Sequence, residues 1–156
     1  MALTEMNPPE KSWSQRHPRL IALVLAIGGW TLVGLSLYLH PDSRGYDTHT
    51  ALGLPPCSFI QTTGYPCPTC GMTTAFANMA HGQVLAALGA QVFGTVLFLL
   101  TACVAVLATA QVLIGRPRVT SLKPKMWWLW ILLAGVAMSW GAKLAMGFAA
   151  GTLPVH

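Results

Sequence analysis

From Thr48 to Gly115 the chain carries no Asp, Glu, Lys or Arg. A water-soluble domain does not leave so long a stretch uncharged, because its surface needs roughly 25–35% charged residues. The rest of the sequence points the same way: 54% of its 156 residues are hydrophobic and 8% are charged, against roughly 25% charged in an ordinary soluble domain. Disorder is excluded, since it combines low hydrophobicity with many charges. The formal charge of +5 comes from nine basic and four acidic residues. They are scattered, without the patch or stripe that nucleic-acid binding requires. The partner that fits is a lipid bilayer, and no nucleic acid is expected. The fold class that follows is an all-α integral membrane protein.

Three apolar runs are long enough to cross a bilayer. Residues 20–39 form an uncharged run, and about 20 helical residues span a hydrocarbon core of about 30 Å. A cleaved signal peptide would have a shorter apolar region and a small-residue cleavage site. Tyr38, Leu39 and His40 make a poor one, so the helix is read as retained. Residues 84–114 form the second run, which as one helix would measure roughly 46 Å. It must tilt or leave its first turns outside the bilayer. Residues 126–146 form the third, with Trp127, Trp128 and Trp130 at its start, where an aromatic belt belongs. Lys143 interrupts its far end. Ionisable groups in membranes are often functional, but the expectation here is a lysine near the interface that snorkels outward.

The basic residues assign a direction. Lys11, Arg16 and Arg19 precede the first span, and Arg116, Arg118, Lys123 and Lys125 lie in the loop 115–125. The loop 40–70 holds only Arg44, and the last span carries Lys143. This division of seven to two places the tail 1–19 and the loop 115–125 in the cytoplasm. The loop 40–70 and the tail 147–156 then face outward.

That outward loop carries the chemistry. It is rich in proline and glycine, with Pro55, Pro56, Pro66, Pro68, Gly53 and Gly64, as a structured loop should be. Cys67 and Cys70 form a Cys-Pro-Thr-Cys unit, and Cys57 stands ten residues upstream. A short interfacial helix is expected over 71–82, started by Gly71 or Met72 and ended near His81-Gly82. Three readings of the cysteines stand side by side. A Cys-x-x-Cys opening a helix lowers a thiol pKa and suits disulfide exchange. Cys57, Cys67 and Cys70 would also make three ligands of a metal site. The fourth would come from His49, His81, His40 or a second subunit. Zinc fits such a set, and the thioether of Met72 would suit copper(I). Finally, Cys57 bridged to Cys67 or Cys70 would close the loop by a disulfide, which persists in an oxidising compartment.

The string Cys57 … Gly64-Tyr-Pro-Cys67-Pro-Thr-Cys70-Gly71-Met72-Thr73, followed by a short helix, His81-Gly82 and an apolar segment, resembles the small bacterial membrane proteins grouped as domain of unknown function 2752. The resemblance covers about Cys57 to Ile114. It implies a bacterial membrane protein with few helices, and it singles out Cys57, Cys67, Pro68, Cys70, Gly71, Met72 and Thr73 as motif positions. It implies no enzymatic activity. This sequence departs from the family pattern at Thr74, where many members have arginine, and at Ala90-Gln91, where an Asn-Pro pair is common.

Physical reasons attach to the motif positions. Pro68 suits a tight turn or the first turn of a helix. Gly71 permits positive φ or a close backbone approach, and Thr73 or Thr74 would cap the helix or back-bond within it. Small residues at four-residue spacing, such as Thr101, Ala105 and Thr109 or Ala86, Ala90 and Gly94, suit close helix packing, within the chain or in a homodimer. Asp42 and Asp47 around Arg44 read as a solvated loop. No phosphate loop, Ser/His/Asp set or acid–base pair is present. The function expected is therefore a non-enzymatic accessory protein or membrane subunit, with a partner in the membrane and a loop stabilised by a disulfide or a metal. The alternative is a thiol–disulfide or zinc- or copper-handling protein using Cys57, Cys67 and Cys70; a chain without any cofactor fits the sequence equally.

Overall fold

The computed structural model describes residues 17–42, 44–45, 47–115, 126–151 and 153. The tail before residue 17, the basic loop 116–125 and nearly all of the C-terminal tail after 151 lie outside the described residues. Among the described residues the chain is all-helical. Helix α1 is Pro18–Tyr38, α2 is Ser58–Thr63, α3 is Met72–Ala80, α4 is Val84–Ala90, α5 is Val92–Ile114 and α6 is Trp127–Ala149; a 3-10 helix covers Thr48–Leu52. Helices α1, α5 and α6 are the ones long and apolar enough to cross a membrane.

Helix α1 begins on Pro18, whose fixed φ and missing N–H suit a first helical position. It packs on α5 and α3 and buries a stripe of small residues, Ala22, Ala26, Gly29 and Ser36. A Cβ added to Gly29 would lie 2.7 Å from the Cβ of Ala105 and 3.3 Å from its Cα. This close crossing is what small residues permit when apolar burial offers no preference for helix over lipid. Two polar contacts fix the register. The Trp30 indole N–H donates to the Thr109 hydroxyl at 3.0 Å, and the buried Gln111 amide donates to the Pro18 carbonyl at 3.0 Å. The pairing of Pro18 with Gln111, and of Gly29 with Ala105, makes the two helices antiparallel. Leu20, Val24, Ile27, Leu99 and Val106 are left exposed, as side chains facing lipid would be.

The long apolar run is not one helix. The expected span 84–114 is divided at Gln91, where the backbone becomes extended, with φ −165° and ψ 110°. The residues at the break, Ala90, Gln91 and Val92, are neither proline nor glycine. Gln91 is buried and turns its side chain back to the cysteine loop, its amide donating to the Pro68 carbonyl at 3.2 Å. Its own carbonyl receives the N–H and hydroxyl of Thr95 and so starts α5. The Phe93 N–H points to the Ser139 hydroxyl of α6 at 3.4 Å. What remains, α5, measures about 35 Å at 1.5 Å per residue, close to one bilayer crossing. The Ala86, Ala90 and Gly94 pattern therefore belongs to two helices rather than one face.

Helices α3 and α4 form a hairpin across one end of the bundle, turning at His81-Gly82. Ala75, Ala87 and Ala90 make its small core, and Phe76 meets Phe98 of α5 edge-on at 5.4 Å. The loop expected over 40–70 is structured, as its composition implies. It contains the 3-10 helix and α2, which ends on Gly64 and is tightened by the Thr62 and Thr63 hydroxyls back-bonding to Ser58 and Phe59.

Candidate metal centre

The cysteine site is built by two turns and a helix start. Pro68 follows Cys67, and the Cys70 N–H donates to the Cys67 carbonyl at 3.0 Å. This is a β-turn with proline at its second position, where its fixed φ belongs. It brings the Cys67 and Cys70 sulfurs to 3.3 Å. Cys57 arrives from the N-terminus of α2, and the sulfurs of Cys57, Cys67 and Cys70 all lie within 4.8 Å of one another. A disulfide would need about 2.05 Å, and all four cysteines stand as thiols. Three sulfurs on one tetrahedral zinc, each about 2.3 Å from it, would be roughly 3.8 Å apart. The donor set therefore fits a thiolate-bound ion with small side-chain adjustments.

A cavity of about 350 Å³ opens beside the sulfurs, and Asp47, His49, Met72 and Thr73 stand on its walls. Asp47 adopts left-handed backbone at φ 63°, a conformation aspartate tolerates better than most residues. It is buried, and the Cys57 N–H points to its carboxylate at 3.4 Å. The His49 Nε2 lies 3.1 Å from the Pro55 carbonyl. A carbonyl only accepts, so Nε2 carries the hydrogen, and in the neutral ring Nδ1 would hold the lone pair a metal uses. His49 is thus available to the site without being one of the converged ligands.

The two vicinal thiols differ. Burial pushes Cys67 up, but hydrogen bonds with Thr69, Cys70 and Cys57 outweigh it and leave Cys67 more acidic than an ordinary thiol. Cys70 moves the other way: burial raises it, and the bonds to Cys67 and Cys57 add to that. Cys67 is the readier thiolate of the pair.

The other expected residues divide into those in the site and those outside it. Cys57, Cys67, Pro68, Cys70, Gly71, Met72, Thr73 and His49 come together. His81 stands apart from them: it follows the last turn of α3, roughly 15 Å along the helix from the motif. There its Nδ1 pairs with the Ala77 carbonyl at 2.8 Å, and its ring lies 6.0 Å from that of His40. Thr74 caps nothing; it is buried in α3 with its hydroxyl 2.8 Å from that of Thr48. Cys103 is exposed on α5, away from the cluster.

Two site residues were not legible as such. From the sequence Asp47 reads as solvated loop; that description fits Asp42, which pairs with Arg44 at 2.7 Å. Lys143 was expected to snorkel outward, and instead turns inward. Its ammonium donates to the carbonyls of Cys70 at 3.2 Å and Ala90 at 2.9 Å. The second of these closes α4 at the Gln91 break, where a cation is favourable. Gly71 makes room for it. At φ 89° it is the N-cap of α3, and a Cβ there would lie 2.6 Å from the Ala90 oxygen, 2.8 Å from the Gly45 oxygen and 2.9 Å from Lys143 Nζ. Helix α6 also holds the loop through Trp140, whose indole donates to the Pro66 carbonyl at 2.8 Å, and through Phe148, whose ring lies 5.7 Å from that of Tyr65.

A family model described as "Protein of unknown function (DUF2752)" matches residues 57–105. The match begins at the first cysteine of the cluster and ends inside α5, so α1 and α6 fall outside it. No curated protein and no solved structure matches the chain.

Proposed function

We propose that the protein is a multi-pass membrane protein, non-enzymatic itself, that carries a three-thiolate metal site on its outward face and uses the bound ion to lock the cysteine loop onto the end of the helix bundle. The observation that carries this reading is the convergence of the Cys57, Cys67 and Cys70 sulfurs within 4.8 Å beside a cavity that His49 also lines. An ion would satisfy all three sulfurs, whereas a single disulfide would leave one thiol over. Zinc fits a set of three thiolates and an imidazole, and copper(I) fits the thiolates alone. The role is that of an accessory or subunit: the ion fixes the surface a membrane partner, or a second copy, would meet. The outward orientation rests on the basic residues, which favour a cytoplasmic N-terminus and second loop; in a bacterium with two membranes the site would face the periplasm from the inner membrane.

The test is metal titration of the detergent-purified protein, reduced and metal-free. Cobalt(II) or cadmium(II) should give sulfur-to-metal charge-transfer absorption at one ion per chain, lost on Cys57→Ser. Absence of that absorption in the wild type would reject the reading. The second reading is thiol–disulfide exchange, favoured by the unlike acidities of Cys67 and Cys70. The Cys67 thiolate would attack a substrate disulfide and release one thiol, and Cys70 would then displace the second. The products would be two substrate thiols and a Cys67–Cys70 disulfide. Exchange that survives Cys57→Ser and is abolished by Cys67→Ser would favour this reading over the first.

A further inference from the structure

The stretch from Thr48 to Gly115 contains all three cysteines of the cluster and no lysine or arginine, so it holds no permanent positive charge to balance their thiolates. A divalent ion with three thiolates carries −1, and a monovalent ion with three carries −2. Asp47 on the cavity wall adds to that negative charge. Uncompensated charge in a poorly solvated place is costly. A lysine or arginine that balances it comes from another part of the chain.

We propose that Lys143 is the counter-ion of the three-cysteine site, a positioning residue through which α6 completes the site electrostatically. This rests on the three-thiolate reading above. The geometry supports it in two ways. The Lys143 ammonium is anchored on the carbonyl of a cluster cysteine, Cys70 at 3.2 Å, and on Ala90 at 2.9 Å. Gly71, between the last cysteine and α3, is the residue whose missing Cβ admits it, since a Cβ would stand 2.9 Å from Nζ. Carbonyl contacts alone would need only a donor. The charge matters to thiolates, and its effect scales with the negative charge that the filled site acquires.

That scaling gives a readout that a merely structural lysine would not move. When three neutral thiols become metal thiolates, the site gains one negative charge with a divalent ion and two with a monovalent ion. Loss of the Lys143 charge should therefore cost copper(I) about twice as much, on a logarithmic affinity scale, as it costs cadmium(II). The experiment uses the full chain in detergent and titrates cadmium(II), then copper(I) under anaerobic conditions. It compares wild type, Lys143→Gln, which keeps a donor for the carbonyls, and Lys143→Arg, which keeps the charge. Cys57→Ser reports that each ion needs all three cysteines. Lys143→Gln should weaken cadmium(II) binding by about 10–100-fold, as loss of an outer partner of a metal site does, and copper(I) binding by roughly the square of that factor. Lys143→Arg should stay within about threefold of wild type on the same scale. Equal losses for the two ions, or wild-type affinity in Lys143→Gln, would overturn the proposal while leaving the three-thiolate site standing. If Lys143→Gln does not fold, Lys143→Arg decides: a loss as large as that expected of Gln overturns it. A wild type that binds neither ion would instead remove the underlying site.

Discussion

Replacing Gly71 by alanine perturbs the site at its tightest point. Two costs add. The residue sits at φ 89°, and left-handed backbone costs a residue with a Cβ about 1–2 kcal/mol. The new methyl would also stand 2.6 Å from the Ala90 oxygen and 2.8 Å from the Gly45 oxygen. Both are backbone atoms, which cannot swing aside as a side chain could, and forcing a methyl into such a space typically costs about 1–3 kcal/mol. The sum is about 2–5 kcal/mol. Gly53→Ala separates the two terms, because Gly53 has φ 76° and nothing within 4 Å of an added Cβ. It should cost only the conformational part, about 1–2 kcal/mol. The assay is thermal unfolding in detergent followed by tryptophan fluorescence, together with cadmium(II) affinity of the folded protein. Gly71→Ala should melt below Gly53→Ala and bind cadmium(II) more weakly, because the methyl displaces Lys143 and the Cys70 turn with it. Indistinguishable melting and affinity in the two variants would refute the account of Gly71 as the residue that admits both Ala90 and Lys143.

Other expectations follow from single contacts. Gly29→Val places its Cβ 2.7 Å from that of Ala105 and should destabilise the α1–α5 pair by about 1–3 kcal/mol, seen as a lower melting temperature than that of Gly28→Val, where no atom lies within 4 Å. Trp140→Phe removes the donor to the Pro66 carbonyl and should cost about 1–3 kcal/mol if that carbonyl stays dry; accelerated proteolysis within 57–70 would register the loosened loop. In metal-free protein, alkylation of Cys67 should persist to lower pH than that of an ordinary thiol, since its lowered pKa preserves the reactive thiolate there, while Cys70 should be alkylated last. Mass mapping of the modified cysteines across a pH series checks the order, and Cys70 reacting first would contradict it.

The spans were readable because a bilayer imposes one length and one composition, and α1, α5 and α6 obey both. The break at Gln91 was not, because it is made by tertiary contacts. Gly89 and Gly94 flank it but stay inside the two helices; the glutamine amide finds the Pro68 carbonyl and the helix yields. The same holds in the site. Cys67, Pro68 and Cys70 are local to one turn, so their spacing already specifies their geometry. Cys57 joins them across α2, and Asp47 through a left-handed backbone that spacing cannot reveal. Lys143 was visible as an anomaly in an apolar run, but its direction depended on what lay beside it. A snorkelling lysine reaches for water or headgroups; this one meets two carbonyls, one of them freed by the Gln91 break. One unreadable event thus concealed the other.

This coupling also bears on the boundaries of the functional unit. The family match covers residues 57–105, which include all three cysteines of the cluster and the Gln91 break but no charged group. Within that segment the turn, the α3–α4 hairpin and the open carbonyl of Ala90 are all present, yet it holds no lysine or arginine to set beside them. The cation, the indole on Pro66 and the ring against Tyr65 come from α6, while the small-residue seam that holds α5 comes from α1. A fragment ending at residue 105 should consequently retain the cysteine sequence and lose the site's order. Adding α6 in trans as a separate helix should restore cadmium(II) binding only if that helix carries Lys143. Equal restoration by a Lys143→Leu helix would mean that α6 contributes packing alone, and would return the whole of the site's chemistry to the matched segment.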